Sequence, residues 1–269
     1  MPFTLSHPAA VLPLLRHPFA PTALVCGALA PDMPYFLGAA GIPVSAQSWY
    51  EPFLNATTSH QASGIAVPAV FGALLMAAYA VVRRPVVALL PTGPALTDRQ
   101  GRRRSPLRRA AWVLLSLAVG ILTHLVWDSF THADGYLVTR LGVLRSHVTG
   151  GLTVARAVQH LSTAVGLVAI AVFLWRRPRS SASVAPSTLN EFPSRITRRV
   201  VAGALALAVV AGAVANTAPL TDYQGVGGRD VTEAVLSDWV TGGGAALACA
   251  VLAYAGAWWA HEAVRSRRA

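Results

Sequence analysis

No lysine occurs anywhere in the chain, and acidic residues number only 11 against 22 arginines. Charged residues of both signs make up 12% of the sequence while hydrophobic ones reach 54%, with a mean hydropathy of +0.50. Two small soluble domains would need far more polar surface than this supplies, so a bilayer is the expected solvent. Cysteine is almost as scarce. Cys26 and Cys249 both lie in apolar stretches, where a thiol behaves as a small hydrophobe, so neither a disulfide nor a thiolate metal site is expected. Also missing are an internal repeat, a heptad run and a glycine-rich phosphate loop. No basic residue precedes the apolar part of Met1 to Arg16, so no cleavable signal peptide is expected.

What the chain has in abundance is long apolar runs. Five are long enough for a hydrocarbon core of about 30 Å, which takes about 20 helical residues. They fall near Ile65 to Val82, Ala110 to Trp127, Leu152 to Trp175, Val200 to Leu220 and Val240 to Ala260, all with Gly or Ala spaced for close helix packing. The fold class this predicts is all-α: a polytopic membrane helix bundle of about five transmembrane helices, with an N-terminal region of short or re-entrant helices. Organised as one membrane-embedded domain, the chain would comprise that region at 1–64, three crossings at 65–175, a flexible linker at 176–199, and two crossings with a basic tail at 200–269.

The net charge of +11 could signal a nucleic-acid partner, but the arginines are not spread as such a surface would be. Eight lie between Arg83 and Arg109, six between Arg176 and Arg199, and three at Arg265, Arg267 and Arg268, in alternate connections. That is the positive-inside pattern. It predicts a cytoplasmic-membrane protein with those segments and the C-terminus in the cytoplasm and the N-terminal region outside. Membrane lipids are the expected partners, and nucleic acid is not.

Within the N-terminal region, Pro2 to Leu15 reads as a short helix with Ser6 as N-cap, and Pro21 to Pro31 as an apolar run half the length needed to cross. Gly38 to Ser59 reads as an exposed loop, Ser129 to Gly151 as a short outer loop, and Pro219 to Asp238 as a mildly acidic one.

Titratable groups interrupt the apolar pattern at one place above all, THLVWDSFTHADG at Thr123 to Gly135. His124, Asp128 and His132 fall at i, i+4 and i+8, on one helix face at the outer end of the second crossing. His60, just before the first crossing, and His7 and Asp32 in the N-terminal region share the expected outer side. Four imidazoles and two carboxylates suit zinc, with manganese or iron as alternatives, and carboxylates can bridge two ions. A mixed His and Asp set also leaves room for water and substrate, unlike a closed thiolate site. The blander reading of each residue is helix glue for His124 and Asp128, backbone caps for His7 and Asp32, and interfacial or loop polarity for His60 and His132. Asp134 before Gly135 reads as turn chemistry. Arg145, Arg156 and His160 are candidates for holding substrate.

Taken together, MPFTLSHPAAVLPL, ALAPDMPYFLG, the Ser-His pair before the first crossing and THLVWDSFTHADG resemble a bacterial membrane family known only as domain of unknown function 4184, over most of the chain. That family is distantly similar to membrane-bound metal-dependent hydrolases. Through its His-x3-Asp element it is also similar to zinc-dependent phospholipase C and the fungal single-strand nucleases, helical enzymes whose His and Asp ligands hold zinc clusters. The resemblance supports His124 and Asp128 best, then Asp32, His60 and His7; His132 matches only loosely. The later His-x3-Glu pair of the soluble enzymes has no counterpart, which favours one or two ions over three. The expected activity is hydrolysis of a phosphoester, on a lipid or lipid-linked substrate, with Asp32 or Asp128 orienting a water or bridging ions. The alternative is a non-catalytic metal-binding scaffold or a transporter.

Overall fold

The computed structural model describes residues 4–42, 59–60, 65–89, 105–176, 193–217 and 227–267. Among the described residues the chain is all-helical apart from one two-stranded hairpin, and five of the helices are long and apolar enough to cross a membrane. It is a multi-pass membrane protein. The expected loop at 43–58, the basic connection at 90–104 and the linker at 177–192 lie outside the described residues, as does Asp222.

The backbone folds into two compact units, each described here by itself. The first holds every candidate metal ligand. It begins with a 3-10 helix at Thr4–Leu14, followed by α1 at Pro21–Leu29 and a 3-10 turn at Ala30–Asp32; α2 at Met33–Ala39 follows, most of it in the second unit. The expected N-cap at Ser6 is not there: Ser6 is buried inside the first helix. Pro8 and Pro13 also lie within it, and each removes a backbone N–H, which disfavours α-helical bonding and leaves the tighter 3-10 form.

Three long helices complete this unit: the first half of α3 (Ala66–Leu89), then α4 (Pro106–Thr131) and α6 (Val154–Arg176). Ser105 caps α4, its hydroxyl accepting from the Arg108 N–H, and Pro106 takes the first helical position, where no N–H is needed. Between α4 and α6 come the four-residue α5 (Gly142–Arg145) and an antiparallel pair, β1 (His147–Thr149) and β2 (Leu152–Thr153). The expected loop at Ser129 to Gly151 thus contains α5 and β1, while β2 takes the first two residues of the expected third crossing.

Helix α1 is the half-length run, and it lies parallel to α4. Ala20 N–H donates to Ser116 Oγ, and eight residues further along Ala28 O lies 2.8 Å from His124 Nδ1. Between them Gly27 and Gly120 bring the two backbones together: a Cβ on Gly27 would run into Leu117 O, and one on Gly120 into Leu24 O. The 3-10 helix returns alongside, with Val11 packed on Leu24 and Ala28 and with Ser6 against Gly166 of α6. Residues 4–32 thus form a hairpin whose turn places Phe19 edge-on to Trp112, 5.7 Å between ring centres. This matches the expected N-terminal region of short helices.

In the second unit α7 (Arg195–Asn216) and α8 (Gly228–Ser266) form an antiparallel pair, joined to the second half of α3. Gly212 and Gly242 face each other where the backbones cross, and Asn216 Nδ2 donates to Asp238 O and Thr241 Oγ1. Pro85 inside α3 lacks the N–H that Val81 O would accept, and the indole of Trp259 donates to that carbonyl instead, at 3.0 Å. Helix α8 runs 39 residues, beginning at Gly228 and so taking in half of the expected last loop. Nothing between Gly228 and Val240 breaks a helix strongly enough to stop it.

Candidate metal centre

Helix α4 fixes the orientation of the centre. His124 and Asp128 lie one turn apart in its last two turns, both buried, with His124 Nε2 3.0 Å from Asp128 Oδ2. His132 stands just past the helix as its C-cap in extended conformation, so it continues the expected face without continuing the helix. Gly135 makes this exit possible: a Cβ there would meet the Ser129, Asp128 and His132 carbonyl oxygens. Asp134 belongs to this turn, as its sequence context indicated.

The remaining three ligands come from the hairpin and from residues 59–60. Asp32 closes the 3-10 turn after α1, and its Oδ1 is 3.5 Å from His124 Nε2 and 3.3 Å from His60 Nε2. His60 Nε2 is also 3.4 Å from Asp128 Oδ2. His7 Nε2 and His132 Nε2 each lie 3.6 Å from Asp128 Oδ1. Ligand atoms of Asp32, His60, His124 and Asp128 all fall within 4.8 Å of one another. All six sequence candidates therefore converge on one place.

Two of the imidazoles are locked by what their other nitrogens meet. A backbone carbonyl can only accept, so His124 Nδ1–H donates to Ala28 O and Nε2 is the nitrogen that faces the cluster. For His60, Ser59 Oγ donates to Pro31 O at 2.7 Å, leaving its lone pairs for His60 Nδ1–H at 3.1 Å. Metal-bound histidines are typically oriented this way by a hydrogen bond from the second ring nitrogen. Sequence reasoning missed Ser59 and the Ala28 carbonyl; the Ser-His pair was visible, but its hydrogen bonds were not.

The centre is an anomaly without a cation. Asp32 is 3% exposed and Asp128 6%, yet Asp32 Oδ2, both Asp128 oxygens, His7 Nε2, His124 Nε2 and His132 Nε2 are buried with no hydrogen-bond partner. Buried polar atoms are nearly always satisfied, and two buried carboxylates side by side repel. Burial also pulls the His7 imidazole down to about 4, with His124 adding to the effect, so His7 is neutral. At Asp32 burial opposes ionisation, but His124 and the other surrounding imidazoles hold its carboxyl well below the usual range. At His60 burial opposes charge, and Asp128 and Asp32 outweigh it to raise the ring to about 9. A divalent ion can take over the role of that proton.

The distances fit such an ion. Bonds of about 2.0–2.2 Å from a tetrahedral ion to N and O put its ligand atoms about 3.4 Å apart. The six N···O separations run from 3.0 to 3.6 Å. These residues can hold a divalent metal. Side-chain exposures of 19% at His60 and 24% at His132 mark the open side of the cluster.

The three candidate substrate residues lie outside this convergence. Arg145 is exposed at the end of α5, Arg156 is half-buried in the first turn of α6, and His160 is exposed one turn further on.

No curated protein and no solved structure matches the chain. A family model described as a domain of unknown function, DUF4184, matches residues 1–256, nearly the whole length, and the chain belongs to that family.

Proposed function

We propose that the protein is a metal-dependent hydrolase of phosphoesters, acting on a lipid or lipid-linked substrate at the outer face of a bacterial cytoplasmic membrane. The observation that carries this reading is the convergence of six His and Asp side chains, five of which (His7, Asp32, His124, Asp128 and His132) have a buried nitrogen or oxygen with no hydrogen-bond partner. Zinc suits four-coordinate N and O ligation, and manganese or iron are the alternatives. A divalent ion held there supplies Lewis acidity and brings the pKa of a water toward about 7.

The chain's own groups divide the remaining work. The second oxygen of Asp32, Oδ2, is free to accept a proton from an attacking water. His60 and His132 flank the open side, where a phosphate group would enter. Arg145 stands at the edge of the adjoining segment as a phosphate partner capable of bidentate pairing.

A lipid substrate is favoured by the segment that follows His132. Tyr136, Leu141, Val143 and Val148 are all exposed there, although none belongs to a crossing helix. Leu137 N–H and Val138 N–H both donate to Ser129 O, which ties the segment to the end of α4 that carries the ligands. Aromatic and aliphatic side chains in such a place suit the headgroup region of a bilayer.

The test offers short-chain and long-chain phospholipids and polyprenyl phosphates in detergent micelles, with release of phosphate or head group as the readout. Hydrolysis should disappear with a chelator, return with zinc or manganese, and be lost in Asp32→Asn and His60→Ala. Metal-loaded wild type with no turnover above these two variants on any phosphoester would leave the second reading, a non-catalytic scaffold or transporter. The depth of the cluster favours that alternative, since His124 is 1% exposed.

A further inference from the structure

We infer that the centre is built for two metal ions bridged by Asp128, one in a four-ligand site and one in a three-ligand site that is open to substrate. This inference rests on the metal-binding part of the reading above and not on hydrolysis.

The two carboxylate oxygens of Asp128 face different histidines. Oδ2 faces His124 at 3.0 Å and His60 at 3.4 Å, the same two rings that face Asp32 Oδ1 at 3.5 and 3.3 Å. These four groups make one closed set of two nitrogens and two oxygens. Oδ1 faces His7 and His132, each at 3.6 Å. A separation of 3.6 Å is too long for a hydrogen bond, and Oδ1 and both Nε2 atoms are buried without one. It is the spacing at which two ligands share an ion.

The stacking of two imidazoles supports the same division. His7 and His124 lie nearly parallel, 20° apart, with ring centres separated by 3.8 Å. One ring serves each oxygen of Asp128, so two ions taken up by these rings would sit side by side at a similar spacing. Ions in two-metal hydrolytic sites stand about 3.5–4 Å apart.

The two sets differ in what they leave open. Asp32, His60, His124 and Asp128 supply four ligands, enough for a tightly held ion. His7, His132 and Asp128 supply three ligands and leave at least one position, beside the partly exposed His132. Two divalent ions against two carboxylates leave a net charge of +2, which an anionic phosphate group offsets.

Full-length protein in detergent, stripped by chelator, is titrated with Mn2+ and followed by metal analysis and electron paramagnetic resonance. Wild type should take up two ions per chain, with the second equivalent producing a spin-coupled spectrum. His7→Gln and His132→Gln should each keep the first ion, which also reports that the fold is intact. Each should lose the second by more than about 100-fold in affinity and show no coupling. Wild type saturating at one ion overturns the two-ion centre while leaving metal binding intact. So does a second ion that both variants retain, or a variant that loses both ions. No uptake by folded wild type overturns the metal reading itself.

Discussion

The hydroxyl of Ser59 donates to Pro31 O and accepts from His60 Nδ1, so one small side chain ties the end of α1 to a metal-facing imidazole. Removing it leaves His60 in place but free to rotate or change tautomer. Ser59→Ala should weaken metal affinity by about 10- to 100-fold, the usual cost of losing a partner behind a ligand. Competition with a chromophoric chelator measures it, and unchanged affinity would show that His60 is oriented by something else. At this scale the sequence was readable where chemistry is carried by residue type. His and Asp in an apolar run are conspicuous, and all six candidates converge. It was opaque where a role depends on a partner far along the chain, as with Ser59 and Ala28 O, 96 residues from His124.

Helix α1 can deliver Asp32 to the site only because it lies almost backbone-to-backbone on α4 at Gly27 and Gly120. A methyl group at Gly120 would meet Leu24 O, a backbone atom that cannot rotate away. Gly120→Ala should therefore push the helices apart, cost about 1–3 kcal/mol of stability as overpacking does, and move Asp32 away from His124. Thermal unfolding in detergent with and without zinc reads both effects: a lower midpoint and a smaller shift on adding zinc. A zinc-induced shift equal to that of wild type would mean that Asp32 does not depend on this contact. Hydrophobic runs announced the long helices, although their ends shifted: α4 and α8 extend beyond the expected spans at both ends, whereas α6 begins at Val154 and α7 ends at Asn216, inside theirs. The exceptions have local causes. Pro8 and Pro13 turned the expected first helix into a 3-10 form, and the start of α8 read as loop because Asp230, Thr232, Glu233, Ser237 and Asp238 masked the helical spacing of Val231, Val235 and Trp239. The hairpin of β1 and β2 is too short, at three and two residues, to leave a strand pattern.

For the whole molecule, the distribution of arginine predicts an orientation on which the proposed function rests: site outside, arginine-rich ends inside. With Cys26 and Cys249 replaced by serine, single cysteines at Asp134 and Arg267, both exposed, should behave oppositely toward an impermeant maleimide in intact expressing cells. Asp134→Cys should label and Arg267→Cys should not; the reverse pattern would put the centre on the cytoplasmic side and remove the outer-leaflet lipid from the list of substrates.

Beneath every functional statement lies the claim that six clustered His and Asp groups, four of them buried, exist to hold a divalent cation. The most direct test is the metal content of the purified, detergent-solubilised protein, washed free of loosely bound ions and compared with Asp128→Asn. That substitution keeps the shape of the side chain but removes the charge that faces four imidazoles. The account predicts at least one firmly held ion per wild-type chain, and its loss from an Asp128→Asn protein that still elutes as a folded species. Less than about half an ion per folded wild-type chain after loading with zinc or manganese, or equal content in the two proteins, would contradict it.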